Sequence, residues 1–386
     1  MKVHFICFLM FCCYGYSEGI NNSSTPALNG SPSITKAPLK LECMTEKQFR
    51  GRCVKPSQCR DTKDEDDLLN PLIPTAYRSP LVCEDSKVCC PKKLIIVESP
   101  VHEGCGWSYF EAHEDRLFSD YASFGEYPWI IAVLRKTSDP LVWWQNDYVA
   151  GGTLIHPSVV MTAAHKVVKL DPNEAKCRAG EWDISSTNEA REHQDRNVKK
   201  IILHEQLRLN EGYNNIALLI LEQPFDLTNN PHIGIACLGS QMPPTGTTCI
   251  AAGWHMHFNS KSSTLAAALR RVQLPIFDKQ TCQVEMNKFN RLRYWKIHDS
   301  VMCAGGMAGA DTCTGDSGMP IICEVQSDSD YTRYAVYGIH GFRMQCGRKD
   351  RLPGINTDVA YEYDWIKTSM TREGLNATTF EYQIPE

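Results

Sequence analysis

After its first residues the chain has no run that approaches 18 uninterrupted apolar residues, so no later segment asks to cross a membrane as a helix. It also lacks an excess of one charge. The 40 basic and 45 acidic residues are mixed along 386 positions, for a net charge of −5, and no basic stripe marks a nucleic-acid or anionic-membrane partner. There is no internal repeat and no low-complexity core, which excludes a repeat architecture. What remains is an ordinary globular composition, 42% hydrophobic and 22% charged, sufficient for one large core and a smaller module.

The N-terminal "MKVHFICFLMFCCYGYSEG" joins Lys2 to a short apolar run and then to small and polar residues, the layout of a secretory signal over residues 1–17 with cleavage near Ser17. Three of the 18 cysteines, Cys7, Cys12 and Cys13, would leave with it, and 15 would enter an oxidising compartment where disulfides persist. The product is expected to be secreted, without a membrane span. Sequons at Asn21, Asn22, Asn29 and Asn376 lie in polar segments and predict glycosylation.

Residues 18–42 are rich in Ser, Asn, Pro and Gly without an apolar period, and read as a flexible leader. Residues 43–90 then hold Cys43, Cys53, Cys59, Cys83, Cys89 and Cys90, a module too small to be stable on its core alone and dependent on disulfides. Inside it, "DTKDEDDLLNPLIPTAYRSP" reads as a solvated loop or as a docking surface for a basic partner. A connector spans 91–119. From 120 to 370, short alternating runs such as "GGTLIHPSVVMTA", "NIALLIL", "TCIAAGW" and "AVYGIHGF" are separated by Gly, Pro, Asn and Asp and end in a helical "VAYEYDWIKTSM". That pattern predicts an all-β sandwich or barrel, followed by a polar tail over 371–386.

Several motifs in one order carry a resemblance. "FGEYPW", "TAAHK", "NNIALLIL", "AAGW", "DTCTGDSGMP" and "LPGINTDV" resemble the chymotrypsin-like serine proteases over about residues 117–368, and the six-cysteine module resembles an arthropod clip domain. "RAGEWD" and "HQDRNVKKIILH" are similar to stretches of the clip-domain serine protease homologues, many of them non-catalytic. The resemblance implies a mostly β fold, two perpendicular β-barrels with the site between them, preceded by the clip module. It implies the pairs Cys43–Cys89, Cys53–Cys83, Cys59–Cys90, Cys105–Cys237, Cys249–Cys323, Cys282–Cys303 and Cys313–Cys346, leaving Cys177 as a buried thiol or an intermolecular handle. It also implies triad-equivalent positions His165, Asn215 and Ser317, an oxyanion position at Gly315, and pocket positions Asp311, Arg343 and Gly354.

Four departures bear on chemistry. Ala150 and Lys166 stand where the family places a disulfide beside the histidine. Asn215 stands where the family has the carboxylate that holds the imidazole in its working tautomer, and Glu211 and Glu222 are too far along the strand to replace it. "EDRLFSDYASFGEYPW" offers one cut, after Arg116, with no glycine pair behind it to insert against Asp316. Arg343 replaces a pocket-entrance glycine and could pair with Asp311, and Met319 replaces a glycine in a tight turn that a side chain would crowd. His165 and Ser317 are therefore read as packing remnants.

Other clusters carry less. His255 and His257 share a strand face but fall short of a zinc set, the loop "EWDISSTNEAREHQD" reads as solvated in preference to calcium-binding, and Trp143 with Trp144 reads as barrel surface or core. No cofactor or metal is expected. The resemblance implies a secreted, non-catalytic homologue that acts by binding, as a cofactor in haemolymph or, in venom, as a competitor of the host's own homologues, with proteases, protease homologues or prophenoloxidase of the melanisation cascade as partners. The other readings are a weak trypsin-like endopeptidase cleaving after Lys or Arg, and an adhesive or pattern-binding protein acting through the clip module.

Overall fold

The computed structural model describes residues 42–44, 50–54, 83, 88–91, 103–108, 121–136, 147–184, 191–228, 230–254, 268–288, 294–305, 317–327, 332–342 and 353–382. Strands β1 (Glu42–Met44), β2 (Arg50–Val54) and β3 (Val88–Pro91) form a small antiparallel sheet in the order β1-β2-β3. Cys53 is bonded to Cys83, and Cys89 and Cys90 are also disulfide-bonded. The side chains of Cys43 and Cys59, their expected partners, lie outside the described residues. So do the expected signal, the leader, Arg116, Trp143, Trp144, His255, His257, Asn21, Asn22, Asn29, Cys313 and Cys346.

Strand β4 (Trp107–Ser108) precedes β5 (Ile130–Arg135), β6 (Tyr148–His156) and β7 (Val159–Thr162). A single-turn helix α1 (Ala164–Val167) follows, then β8 (Ala175–Ala179), β9 (Gln194–Leu203) and β10 (Ala217–Leu221). These strands close a barrel in the order β10-β7-β6-β5-β8-β9. β10, "ALLIL", is buried at every position, so its apolar run shows no alternation.

The second half holds β11 (Cys237–Leu238), β12 (Thr248–Gly253), β13 (Arg270–Phe277), α2 (Lys279–Asn287), β14 (Val301–Ala304), β15 (Pro320–Ser327), β16 (Thr332–Phe342), β17 (Gly354–Asp358) and α3 (Val359–Arg372). The order β16-β15-β12-β13-β14-β17 returns to β16 through the β16–β17 pairing, so this sheet closes as well. Cys249–Cys323 and Cys282–Cys303 are disulfides of this half, and Cys105–Cys237 joins it to the segment before the first barrel.

The fold reaches past the boundaries that composition suggests. Within the connector, Cys105 is tied to Cys237 and β4 pairs with β16. Gly106 has φ +78°, and a Cβ there would stand 2.2 Å from the Tyr334 carbonyl oxygen, so only glycine fits that crossing. At the other end, the residues read as a polar tail fold back. Phe380 is completely buried, its carbonyl accepts from the Leu238 N–H at 3.0 Å, and the Thr379 hydroxyl donates to the Ile155 carbonyl at 2.8 Å. Helix α3 is capped by Asp358, which accepts from the Tyr361 N–H, and buries Val359, Glu362, Ile366, Ser369 and Met370 along one face at helical spacing.

Cys177 lies on β8 between Val133 and Arg196, with no exposed surface, and is a free thiol. Burial pushes its pKa well up, and the thiol form is unreactive. The handle for an intermolecular bridge is thereby excluded. Native protein treated with a maleimide should keep this thiol, whereas guanidinium-unfolded protein should gain one adduct at Cys177; rapid labelling without denaturant would contradict the burial.

Candidate functional site at the junction of the barrels

Helix α1 follows β7 directly and brings His165 to the junction. Its N-cap residue, Ala163, has no side chain with which to satisfy the first N–H groups. Asn215 supplies what is missing: its Oδ1 accepts from the His165 backbone N–H at 2.9 Å, and its carbonyl accepts from the Ala164 N–H at 3.4 Å. Asn215 is buried just before β10 and is held from both sides. Asn214 before it takes a left-handed φ of 48° and bonds to the Ser300 hydroxyl and the Gln206 carbonyl, while the Thr357 hydroxyl donates to the Asn215 carbonyl at 3.0 Å.

The same amide meets the imidazole. His165 Nδ1 stands 2.9 Å from Asn215 Nδ2 and 3.2 Å from Oδ1. A backbone N–H only donates, so Oδ1 is the atom facing the His165 N–H, and Nδ2 donates to Nδ1. The imidazole proton is then on Nε2. A triad base needs the opposite arrangement, with Nδ1–H directed at a carboxylate and Nε2 bare to take the serine proton. Burial lowers the His165 pKa to about 4, opposed by the contact with Asn215 and assisted by Lys166 and His340, so the ring is neutral at physiological pH.

Phe342 is a residue that motif reading passed over. Its ring lies on the imidazole with centroids 4.4 Å apart and planes at 33°. The signal was present as the aromatic after Gly341 in "GIHGF", but only the register places it: β16 pairs Phe342 with Ile355 after a bulge beyond His340, turning this end of the strand toward α1. Gly341 sits in that bulge, where a Cβ would come within 2.7 Å of the Ile355 carbonyl oxygen and 3.5 Å of Asn215 Nδ2.

Ser317 enters from the second barrel, just before β15. Its hydroxyl donates to the Gly341 carbonyl at 3.3 Å, and its own carbonyl accepts from the Gly151 N–H at 3.0 Å. Gly318 is at φ +92°, with a Cβ position 2.3 Å from the Gly151 carbonyl oxygen, so the turn requires glycine. Met319 was expected to crowd that turn. It does not: its side chain is buried in the space left by the absent side chain of Gly151. Of the other expected positions, Ala150 is buried on β6, Lys166 is exposed on α1, and Gly354 is buried at the start of β17. Asp311, Gly315, Asp316 and Arg343 lie outside the described residues.

The acidic loop after β8 is anchored at both ends. Arg178, itself buried, bonds Asp195 through Nε at 2.7 Å and Nη2 at 3.0 Å, and Glu181 through Nη1 at 3.2 Å. Lys176 reaches Asp195 at 2.8 Å. Burial acts to raise the Asp195 pKa, but the hydrogen bonds and charges of Arg178 and Lys176 hold it at about 2. These two carboxylates are therefore engaged by cationic side chains, a role the composition of the loop alone did not reveal.

Two closed barrels, the first carrying His165 beside Asn215 and the second carrying Ser317 just before β15, define a chymotrypsin-like double-barrel protein. The family model for Trypsin matches residues 119–366. The chain is 37% identical over 288 residues to "Phenoloxidase-activating factor 2" of Galleria mellonella, covering 72% of this chain and 93% of that one. It is 32% identical over 306 residues to "Inactive CLIP domain-containing serine protease A8" of Anopheles gambiae, covering 75% and 79%. With "Phenoloxidase-activating factor 3" of Holotrichia diomphalia it shares 29% over 298 residues, covering 73% and 80%. The chain belongs to the trypsin family, among its clip-domain serine protease homologues.

Proposed function

We propose that this chain is a secreted, non-catalytic protease homologue that acts by binding, as a cofactor in the prophenoloxidase cascade of melanisation. The observation that carries the reading is the bonding of Asn215: with Oδ1 committed to the His165 N–H and Nδ2 to Nδ1, the histidine keeps its ring proton on Nε2, the nitrogen that a triad base needs bare as an acceptor. The Ser317 hydroxyl, bonded to Gly341, and the Phe342 ring on the imidazole support it further. Similarity to two phenoloxidase-activating factors and to inactive clip-domain proteins supports the cascade and the mode of action. Its partners would be proteases, protease homologues or prophenoloxidase.

A cofactor that works by binding does not need its serine. Purified protein, intact or nicked with trypsin, is expected to leave an arginyl amide uncleaved, and Ser317→Ala is expected to equal the parent in raising phenoloxidase activity when prophenoloxidase and an activating protease are supplied. Loss of that effect in Ser317→Ala, with folding retained, would show that the chain acts as a protease.

A further inference from the structure

We propose that Asn376 carries an N-linked oligosaccharide, placed where the C-terminal segment turns back onto the first barrel. This rests on the export assumed above. Asn376-Ala377-Thr378 is the one sequon within the described residues, and its geometry adds an independent argument to the motif. Asn376 is exposed, and its Oδ1 accepts from both the Thr378 N–H at 3.0 Å and the Thr378 hydroxyl at 2.8 Å. Both bonds fix the amide plane. Nδ2 faces away from them and, among the described residues, has no hydrogen-bond partner.

The chemistry is a glycosyl transfer. Nδ2 attacks the anomeric carbon of a lipid-pyrophosphate-linked oligosaccharide, a C–N bond forms, and the C–O bond to pyrophosphate breaks. The lipid pyrophosphate leaves with the electron pair, and one amide proton passes to a base of the transferase. The turn that presents Nδ2 spans only residues 376–378, so it forms without the rest of the fold. In the fold Asn376 stays exposed, because the chain buries Phe380 and bonds Thr379 to Ile155 while leaving Asn376 outside.

The position also suits a protein that works through its junction surface. Ile155 lies on the same strand as Gly151, whose N–H holds the Ser317 carbonyl. At about 3.3 Å per residue, the Thr379 contact stands roughly 13 Å along that strand from the Ser317 contact.

Trypsin releases this sequon by itself, because no Lys or Arg follows Arg372 and the other three sequons lie near the N-terminus. In protein secreted from insect cells, the peptide of residues 373–386 is expected only after N-glycosidase treatment, with position 376 converted to aspartate. Thr378→Ser should keep the sugar, and both Thr378→Ala and Asn376→Gln should lose it with the protein still secreted. An unmodified peptide 373–386 recovered from secreted protein before glycosidase treatment, at full yield, overturns the proposal while leaving the export reading intact. Retention of the full chain inside the cell with Asn376 bare overturns both.

Discussion

Asn215→Asp is expected to raise the pKa of His165 from about 4 by roughly two pH units, the usual effect of an anionic partner at hydrogen-bond distance. The carboxylate would still accept from the His165 backbone N–H, so α1 keeps its cap. It cannot donate to Nδ1, which must then carry the proton and donate to it. Two consequences follow from that reversal: the imidazolium is stabilised, and Nε2 becomes free to accept. In the Ser-His-Asp protease where the opposite exchange is known, amide for carboxylate lowers turnover about 10⁴-fold, equivalent to about 5.4 kcal/mol of barrier.

Recovery of catalysis in this single variant is expected to be far smaller. Phe342 would still lie on the imidazole, and the Ser317 hydroxyl would still be bonded to the Gly341 carbonyl. The decisive readout is therefore the titration of the His165 ring resonances by NMR, not the rate. A parent ring that titrates near 6.5, or an Asp variant that titrates where the parent does, would remove the amide from its place in the account.

The residues that could be read in advance are those whose neighbours are close in sequence or whose motif is long. The runs in β7 and β10, the histidine after "TAA" and the serine in "GDSG" fall into this group, since strand pattern and motif order are local properties. Asn215 was legible as a substitution. Its second role, capping α1 through Oδ1, was not, because helix and cap are 50 residues apart. Met319 shows the same limit in the other direction: a crowded turn was expected, and the room comes from Gly151 on a strand of the other barrel. Phe342 needed the β16–β17 register and its bulge, and the packing of Phe380 needed the whole barrel. In each case the missing information was the identity of a distant partner, which no local pattern contains.

Glu362→Gln is expected to stabilise the protein, and by more as the pH rises. Glu362 lies on the buried face of α3, 1% exposed, with Oε2 3.2 Å from His204 Nε2 and, among the described residues, no partner for Oε1. The pair is neutral for a geometric reason. His204 Nδ1 accepts from the Gln206 N–H at 3.0 Å, so the ring proton is on Nε2 and is donated to Glu362; a second proton on Nδ1 would break the Gln206 bond. His204 stacks on Trp365, whose indole donates to Glu205, and burial lowers the His204 pKa. On the helix side, Asp358, with Lys279 at 3.8 Å, is the other charge that acts on Glu362. Burial, followed by the charge of Asp358, raises the Glu362 pKa to about 8.

The sign follows from linkage. Below the ordinary carboxylate range both folded and unfolded states hold the proton, and there is no penalty. Between there and about pH 8 the unfolded chain releases it while the folded chain keeps it, so stability falls as pH rises, by about 1.4 kcal/mol per pH unit. At pH 7.5 the accumulated loss is on the order of 4 kcal/mol, and the glutamine, which accepts from His204 through its amide oxygen and never ionises, removes it. At about 2 to 4 °C per kcal/mol, Tm of the variant should exceed that of the parent by on the order of 10 °C at pH 7.5, with the gap closing toward pH 5. Equal Tm differences at both pH values would mean that Glu362 already ionises in the folded protein, and that the His204 contact is an ion pair, with the Gln206 bond yielding to it.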